Sequence, residues 1–118
     1  MQSSSPPTLA ELHERFTWGD DPSVPAPRIA IGLVRAAFAS GDDEQLTLAL
    51  ELLVAIDKEE RAWWQMGNPG QPIATWSRTV LHAVREDWRR AAEAVRDAAQ
   101  PELREAARAS LELLAPTT

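Results

Sequence analysis

Apolar residues recur every three or four positions through most of this chain, and nowhere do they alternate with polar ones for long enough to make a convincing strand. The clearest run is Ile73, Trp76, Val80, Val84, Trp88, Ala91, Val95 and Ala98, which predicts a helix from about Ile73 to Ala99. A second stretch, Leu46 to Ile56, is apolar around most of its circumference apart from Thr47 and Glu51. A helix of that kind belongs at the centre of a fold, and the pattern extends it from Asp43 to about Met66.

The breaks in the pattern place the remaining elements. Thr8-Leu9-Ala10-Glu11 fits a capping box and starts a short helix to about Phe16, with Leu9, Leu12 and Phe16 on one side. Gly19 ends it, and the proline-rich stretch from Asp20 to Pro27 is expected to be extended. A helix from about Arg28 to Ala39 should turn Ile29, Leu33, Ala37 and Phe38 inward, with Ser40-Gly41 as its stop. Asp42 is the expected N-cap of the central helix. Gly67-Asn68-Pro69-Gly70-Gln71-Pro72 is the strongest break, since no regular element can pass through it. Pro101 suits the first turn of a last helix to about Ala115, whose inner face is Leu103, Ala107, Ser110 or Leu111, and Leu114.

The fold class read from this pattern is all-α, a small antiparallel helical bundle of four main helices plus a short N-terminal helix. Twenty alanines, good helix formers, agree with it. Residues 1–7 read as a disordered Ser/Pro tail, 8–115 as one helical domain and 116–118 as a closing tail. At 118 residues one core is expected and no second domain. No positively charged leader precedes an apolar run at the start, and the longest uninterrupted apolar stretch is Leu52 to Ile56, so the expectation is a cytoplasmic protein with no membrane segment. The absence of cysteine excludes disulfides, thiolate metal sites and a thiol nucleophile.

Charge adds an asymmetry. The net charge is −6, but residues 1–60 hold eleven acids against four bases and 61–118 hold seven against eight, giving −7 and +1. Such halves can attract one another within a molecule or between two copies. Only one of the twelve basic residues is a lysine, Lys58.

Three constellations could carry function. The first is Asp57 and Glu60. At about 100° per residue they fall within roughly 40° of the line of Leu46, Leu53 and Trp64, so two carboxylates interrupt an apolar stripe. They could accept a basic group or a hard cation. The pattern favours the plainer reading, in which the inner face ends near Ile56 and the carboxylates emerge into solvent beside Lys58 and Arg61, with a salt bridge to an arginine as the next reading.

The second is the aromatic cluster around the break: Trp63, Trp64, Met66 and Trp76. Tryptophan serves small cores and interaction hot spots alike. Adjacent Trp63 and Trp64 point about 100° apart, so both are buried only if two different neighbours cover them. Core packing is the favoured reading, and a groove for a partner or ligand is the second.

The third is an outward row, Arg78, Arg85, Arg89 and Arg96 with His82. A row like this can track phosphates. Glu86, Glu93 and Asp97 flank it, however, and make it a solvated face first, a protein-binding face second and a nucleic-acid surface last. A DNA-reading helix-turn-helix over Arg28 to Met66 is rejected, because Asp42, Asp43 and Glu44 would enter the groove and repel phosphate.

Catalysis has little support. His13 and His82 are the only histidines, and neither a Glu-x-x-His pair, a His-Glu-x-x-His motif nor a phosphate-binding glycine loop is present. No cofactor, metal ligand or catalytic residue is assigned. The sequence therefore leads to a non-catalytic protein–protein interaction or regulatory module, its partner another protein or a second copy in a homodimer. Its candidate surface is Trp63, Trp64, Met66, Trp76, Asp57, Glu60, Arg78, Arg85 and Arg89. The alternatives are a bundle holding a small molecule or metal near Asp57, Glu60, His82 and Trp63, with possible enzymatic activity, and, third, a nucleic-acid-associated protein.

Overall fold

The structure, a computed structural model, describes residues 8–18 and 24–115, without the side chains of 15–18. The tails expected at 1–7 and 116–118, the helix stop at Gly19, the link from Asp20 to Ser23 and the inward side chain of Phe16 lie outside the described residues. Among those described there are five helices and no strand: α1 Leu9–Trp18, α2 Pro27–Ser40, α3 Asp43–Gln65, α4 Pro72–Val95 and α5 Pro101–Leu114. The protein is all-α, as its periodicity dictates.

Local chemistry explains where these helices begin and end. Thr8 opens α1 by accepting the Glu11 N–H at 3.2 Å while its hydroxyl donates to the Glu11 carboxylate at 3.3 Å. Prolines hold the first positions of α2, α4 and α5, where a missing N–H costs nothing because that group has no intrahelical acceptor. Gly41 follows α2 at φ 71°, a left-handed conformation that favours glycine. Asp42 occupies the N-cap position of α3, but its side chain makes no capping bond. Its carbonyl accepts the Leu46 N–H, and its own N–H goes to the Ser40 hydroxyl. α4 stops at Val95, short of the expected Ala99. The residue before Pro101 is pushed out of helical geometry, and α5 supplies arginines that bind the carbonyls released there.

α3 is the centre of the molecule and touches each of the other four helices. α1 and α2 also meet one another, α2 lies against α4, and α5 packs on α3 and α4. The core that results is Leu9 and Leu12 from α1, Ala30, Val34 and Ala37 from α2, and Ala49, Leu50, Leu52, Leu53 and Ile56 from α3, closed by Val80, Val84, Trp88, Leu103, Ala107 and Leu114. On α2 Ala37 is buried as expected, but the rest of the buried face lies one residue away from the expected one. Ala30 and Val34 are fully buried, whereas Ile29 and Leu33 lie at the margin. The short side chains let α2 approach both α3 and α4, and the larger ones then cover the edges.

Among the described residues two serines are wholly buried, with different consequences. The Ser110 hydroxyl donates to the Ala106 carbonyl at 2.8 Å, whereas the Ser77 hydroxyl has no hydrogen-bond partner among the described residues. A buried hydroxyl without a partner loses its hydration without compensation. Ser77→Ala is therefore expected to stabilise the protein by about 0.5–1 kcal/mol. Ser110→Ala is expected to be neutral or destabilising. Urea unfolding of the two variants side by side checks the difference in sign.

Candidate functional site

The break between α3 and α4 is an ordered turn that ties the tryptophans to the backbone. Gly67, at φ 77°, follows the Met66 C-cap; its N–H donates to the Trp64 carbonyl at 3.1 Å and the Asn68 N–H donates to that of Trp63 at 2.9 Å. These are the two bonds of a Schellman motif, and they satisfy carbonyls that the end of a helix otherwise leaves unpaired. The positions of Trp63 and Trp64 follow from that geometry.

The four aromatic and sulfur side chains, for which core packing is the favoured expectation and a shared groove the second, are divided by it. Trp76 is buried, and its indole N–H donates to the Pro25 carbonyl at 2.6 Å, so it anchors the chain entering α2 onto α4. Trp63 is half-buried with its indole nitrogen shielded and without a partner among the described residues. Trp64 and Met66 point outward, 56% and 58% exposed, and are the exposed large hydrophobic residues among those described. Facing about 100° apart on one helix, Trp63 and Trp64 meet opposite fates because a neighbour covers one side only.

Asp57 and Glu60 do not emerge into solvent as the pattern favoured. Their side chains are only 13% and 17% exposed, and each is matched by an arginine. Asp57 pairs with Arg61 one turn further along α3, and Glu60 lies 3.7 Å from Arg78 of α4. Leu113 of α5 reaches this end of α3, where its carbonyl accepts from Arg61 at 3.3 Å. The far end of α3 is thus covered by α4 and α5, and the carboxylates are compensated rather than hydrated.

The arginine row is structural in part, through Arg78 and Arg89. Among the described residues, Arg78 donates to the Pro69 carbonyl, Arg89 to that of Leu114, Arg104 to those of Ala98 and Ala99, and Arg108 to that of Arg96. With Arg61 on Leu113, arginines from neighbouring helices bind the carbonyl-rich ends of α4 and α5, where positive charge is favoured by the helix dipole. Arg96 lies 3.7 Å from Asp97. Arg85 and His82 are exposed and have no ion-pair or hydrogen-bond partner among the described residues. The sequence shows a row on one face of α4, but which members have acceptors depends on where α5 and the turn end.

What converges at the α3–α4 turn is therefore smaller than the expected set: Trp64, Met66, Arg78 and Glu60. The Arg78 guanidinium stands 5.8 Å from the centroid of the Trp64 ring, within range of a cation–π interaction, and its contacts to Glu60 and Pro69 hold it there. An arginine with partners on both sides thus stands beside an exposed indole. Among the described residues no three histidines, aspartates or glutamates are grouped to hold a metal ion, and no helix is long and apolar enough to cross a membrane.

Comparison of the chain with protein-family models, with curated proteins and with solved structures gave no match in any of the three. The class that the fold defines is an all-α bundle, of five helices among the described residues.

Proposed function

We propose that this bundle is a non-catalytic protein–protein interaction module of the cytoplasm whose contact surface centres on Trp64 and Met66. The observation that supports the reading is the pair of large apolar side chains, each more than half exposed, beside an arginine fixed over the indole. Among the described residues twenty hydrophobic side chains are buried in one cluster, and Trp64 and Met66 stand outside it. Aromatic and arginine side chains are the types that carry binding energy at protein interfaces. Together the two apolar residues expose on the order of 200 Å², about a quarter of the ~800 Å² each partner buries in a standard interface. They act as the hot spot of a larger footprint, in which the neighbouring Gln65, Asn68 and Gln71 supply a polar rim.

The expected site at Asp57 and Glu60 gains no support, since both carboxylates already have arginine partners. The nucleic-acid reading is weakened in the same way, because Arg78 and Arg89 are engaged by the protein's own carbonyls.

Replacing Gln65 with a photo-crosslinking amino acid, and exposed Glu105 of α5 in a second variant, tests the reading in cells. Position 65 is expected to give protein adducts that Trp64→Ala removes at least tenfold, a doubling in mass among them marking a second copy of the chain. Equal labelling at positions 65 and 105, insensitive to Trp64→Ala, would refute it. Trp64 is more than half exposed and its one ring contact among the described residues is with Arg78, so this substitution is expected to shift stability by no more than about 1 kcal/mol, which thermal unfolding checks.

A further inference from the structure

We propose that the groove between α2 and α4 binds a small organic carboxylate bearing an aromatic or branched apolar tail. The groove is an open depression of about 480 Å³ lined by Arg35, Phe38 and Ala39 of α2 and by Asp87, Arg90 and Ala91 of α4. Arg90 lies twelve residues beyond Arg78, or about 18 Å along α4, which separates the groove from the Trp64 surface.

The charges in the groove are set up unequally. Arg35 donates through Nε to Asp87 at 3.2 Å and through Nη2 to the Ala83 carbonyl at 3.0 Å. The guanidinium is thereby held in one plane, and the Asp87 charge is offset. Both Nη1 hydrogens of Arg35 remain available. Arg90 has no ion-pair or hydrogen-bond partner among the described residues, although Glu86 and Glu93 lie one turn to either side. Arg28 and Arg85 share that condition, but Arg90 is the one placed in a groove. In a chain of net charge −6, the charged residues that line the groove, Arg35, Arg90 and Asp87, sum to one positive charge, with the Arg35 guanidinium preorganised.

That arrangement favours an anion. Guanidinium groups match a carboxylate with paired N–H donors, and a charge-assisted hydrogen bond is stronger than a neutral one. The apolar part of the lining, half-buried Phe38 with the methyl groups of Ala39 and Ala91, gives a tail attached to that carboxylate a surface to cover. An inorganic anion would leave that surface unused. The groove is open along its length, so an affinity of order 1 mM is expected, at which each tenfold change is about 1.4 kcal/mol.

The test is titration of the full-length ¹⁵N-labelled protein with 4-phenylbutyrate, its amide and inorganic phosphate, followed by amide chemical shifts. The acid is expected to saturate shifts at Phe38, Ala39, Arg90 and Ala91. The amide and inorganic phosphate are each expected to bind at least tenfold more weakly. Arg90→Gln should weaken the acid about tenfold and Phe38→Ala several-fold, while Arg85→Gln, an exposed arginine on the same helix outside the groove, should change nothing. Because Arg90 is exposed, its variant should retain the wild-type amide spectrum elsewhere, which the same experiment shows. Equal binding of acid and amide, equal effects of Arg90→Gln and Arg85→Gln, phosphate binding as tight as the acid, or no saturable shifts at these residues would each overturn the proposal.

Discussion

Trp88→Ala is expected to destabilise the protein by about 3–5 kcal/mol, a drop in melting temperature of about 12–20 °C. Trp88 is 1% exposed and the largest of the fully buried side chains among the described residues. It projects from α4 into a core to which α2, α3 and α5 also contribute, so no single neighbour can close the space that truncation would open. Its indole N–H has no hydrogen-bond partner among the described residues, so what the side chain contributes is packing and removal of apolar surface from water. Trp88→Phe should therefore cost much less, about 1–2 kcal/mol, since it keeps most of the ring volume and removes an uncompensated N–H. Thermal unfolding followed by circular dichroism checks both variants. A loss below about 1 kcal/mol for the alanine variant would mean that the centre of the core lies elsewhere.

Leu53→Ala is expected to cost about 3–4 kcal/mol, read as a lower urea midpoint with an unchanged slope. Leu53 has no exposed surface and sits midway along α3, the helix in contact with all four others. The cost of a cavity depends on how far its surroundings can collapse, and a helix held on several sides has little freedom to move into the gap. Half-buried Leu48, on the same helix, supplies the comparison: Leu48→Ala should cost about 1 kcal/mol, because its side chain still meets water and the site can relax. For a domain whose total stability is about 5–15 kcal/mol, the Leu53 variant loses a large fraction of it. Equal effects at positions 48 and 53 would contradict the central place of α3.

The largest departures from the sequence reading occurred where a neighbour's position decides a side chain's fate. Asp57 and Glu60 were visible as carboxylates within an apolar stripe, but the pattern favoured solvent exposure. Arg61 was in view on the same helix, whereas the pairing of Glu60 with Arg78 and the cover from α5 depend on contacts between residues far apart in sequence. The arginines show the same division. Their spacing on α4 marked a face, but not that Arg78 and Arg89 would reach backbone carbonyls at the turn and at the end of α5. Nothing in the pattern marks Arg90 or Phe38 as part of a site, and Phe38 reads only as an inward residue of α2. No motif joins Arg90 to Arg35 on another helix, and the groove exists only once α2 and α4 lie side by side.

By itself, the sequence determined the number and type of the helices, their ends to within a few residues, the left-handed glycine after α2 and the central, mostly apolar character of α3. These are local properties, set by periodicity, proline and glycine within a few residues of one another. Only the tertiary structure decided which side of α2 turns inward, which of Trp63 and Trp64 meets water, which arginines have acceptors and where a groove opens. Each of those outcomes depends on the distance between surfaces brought together by folding, a quantity that no single helix encodes.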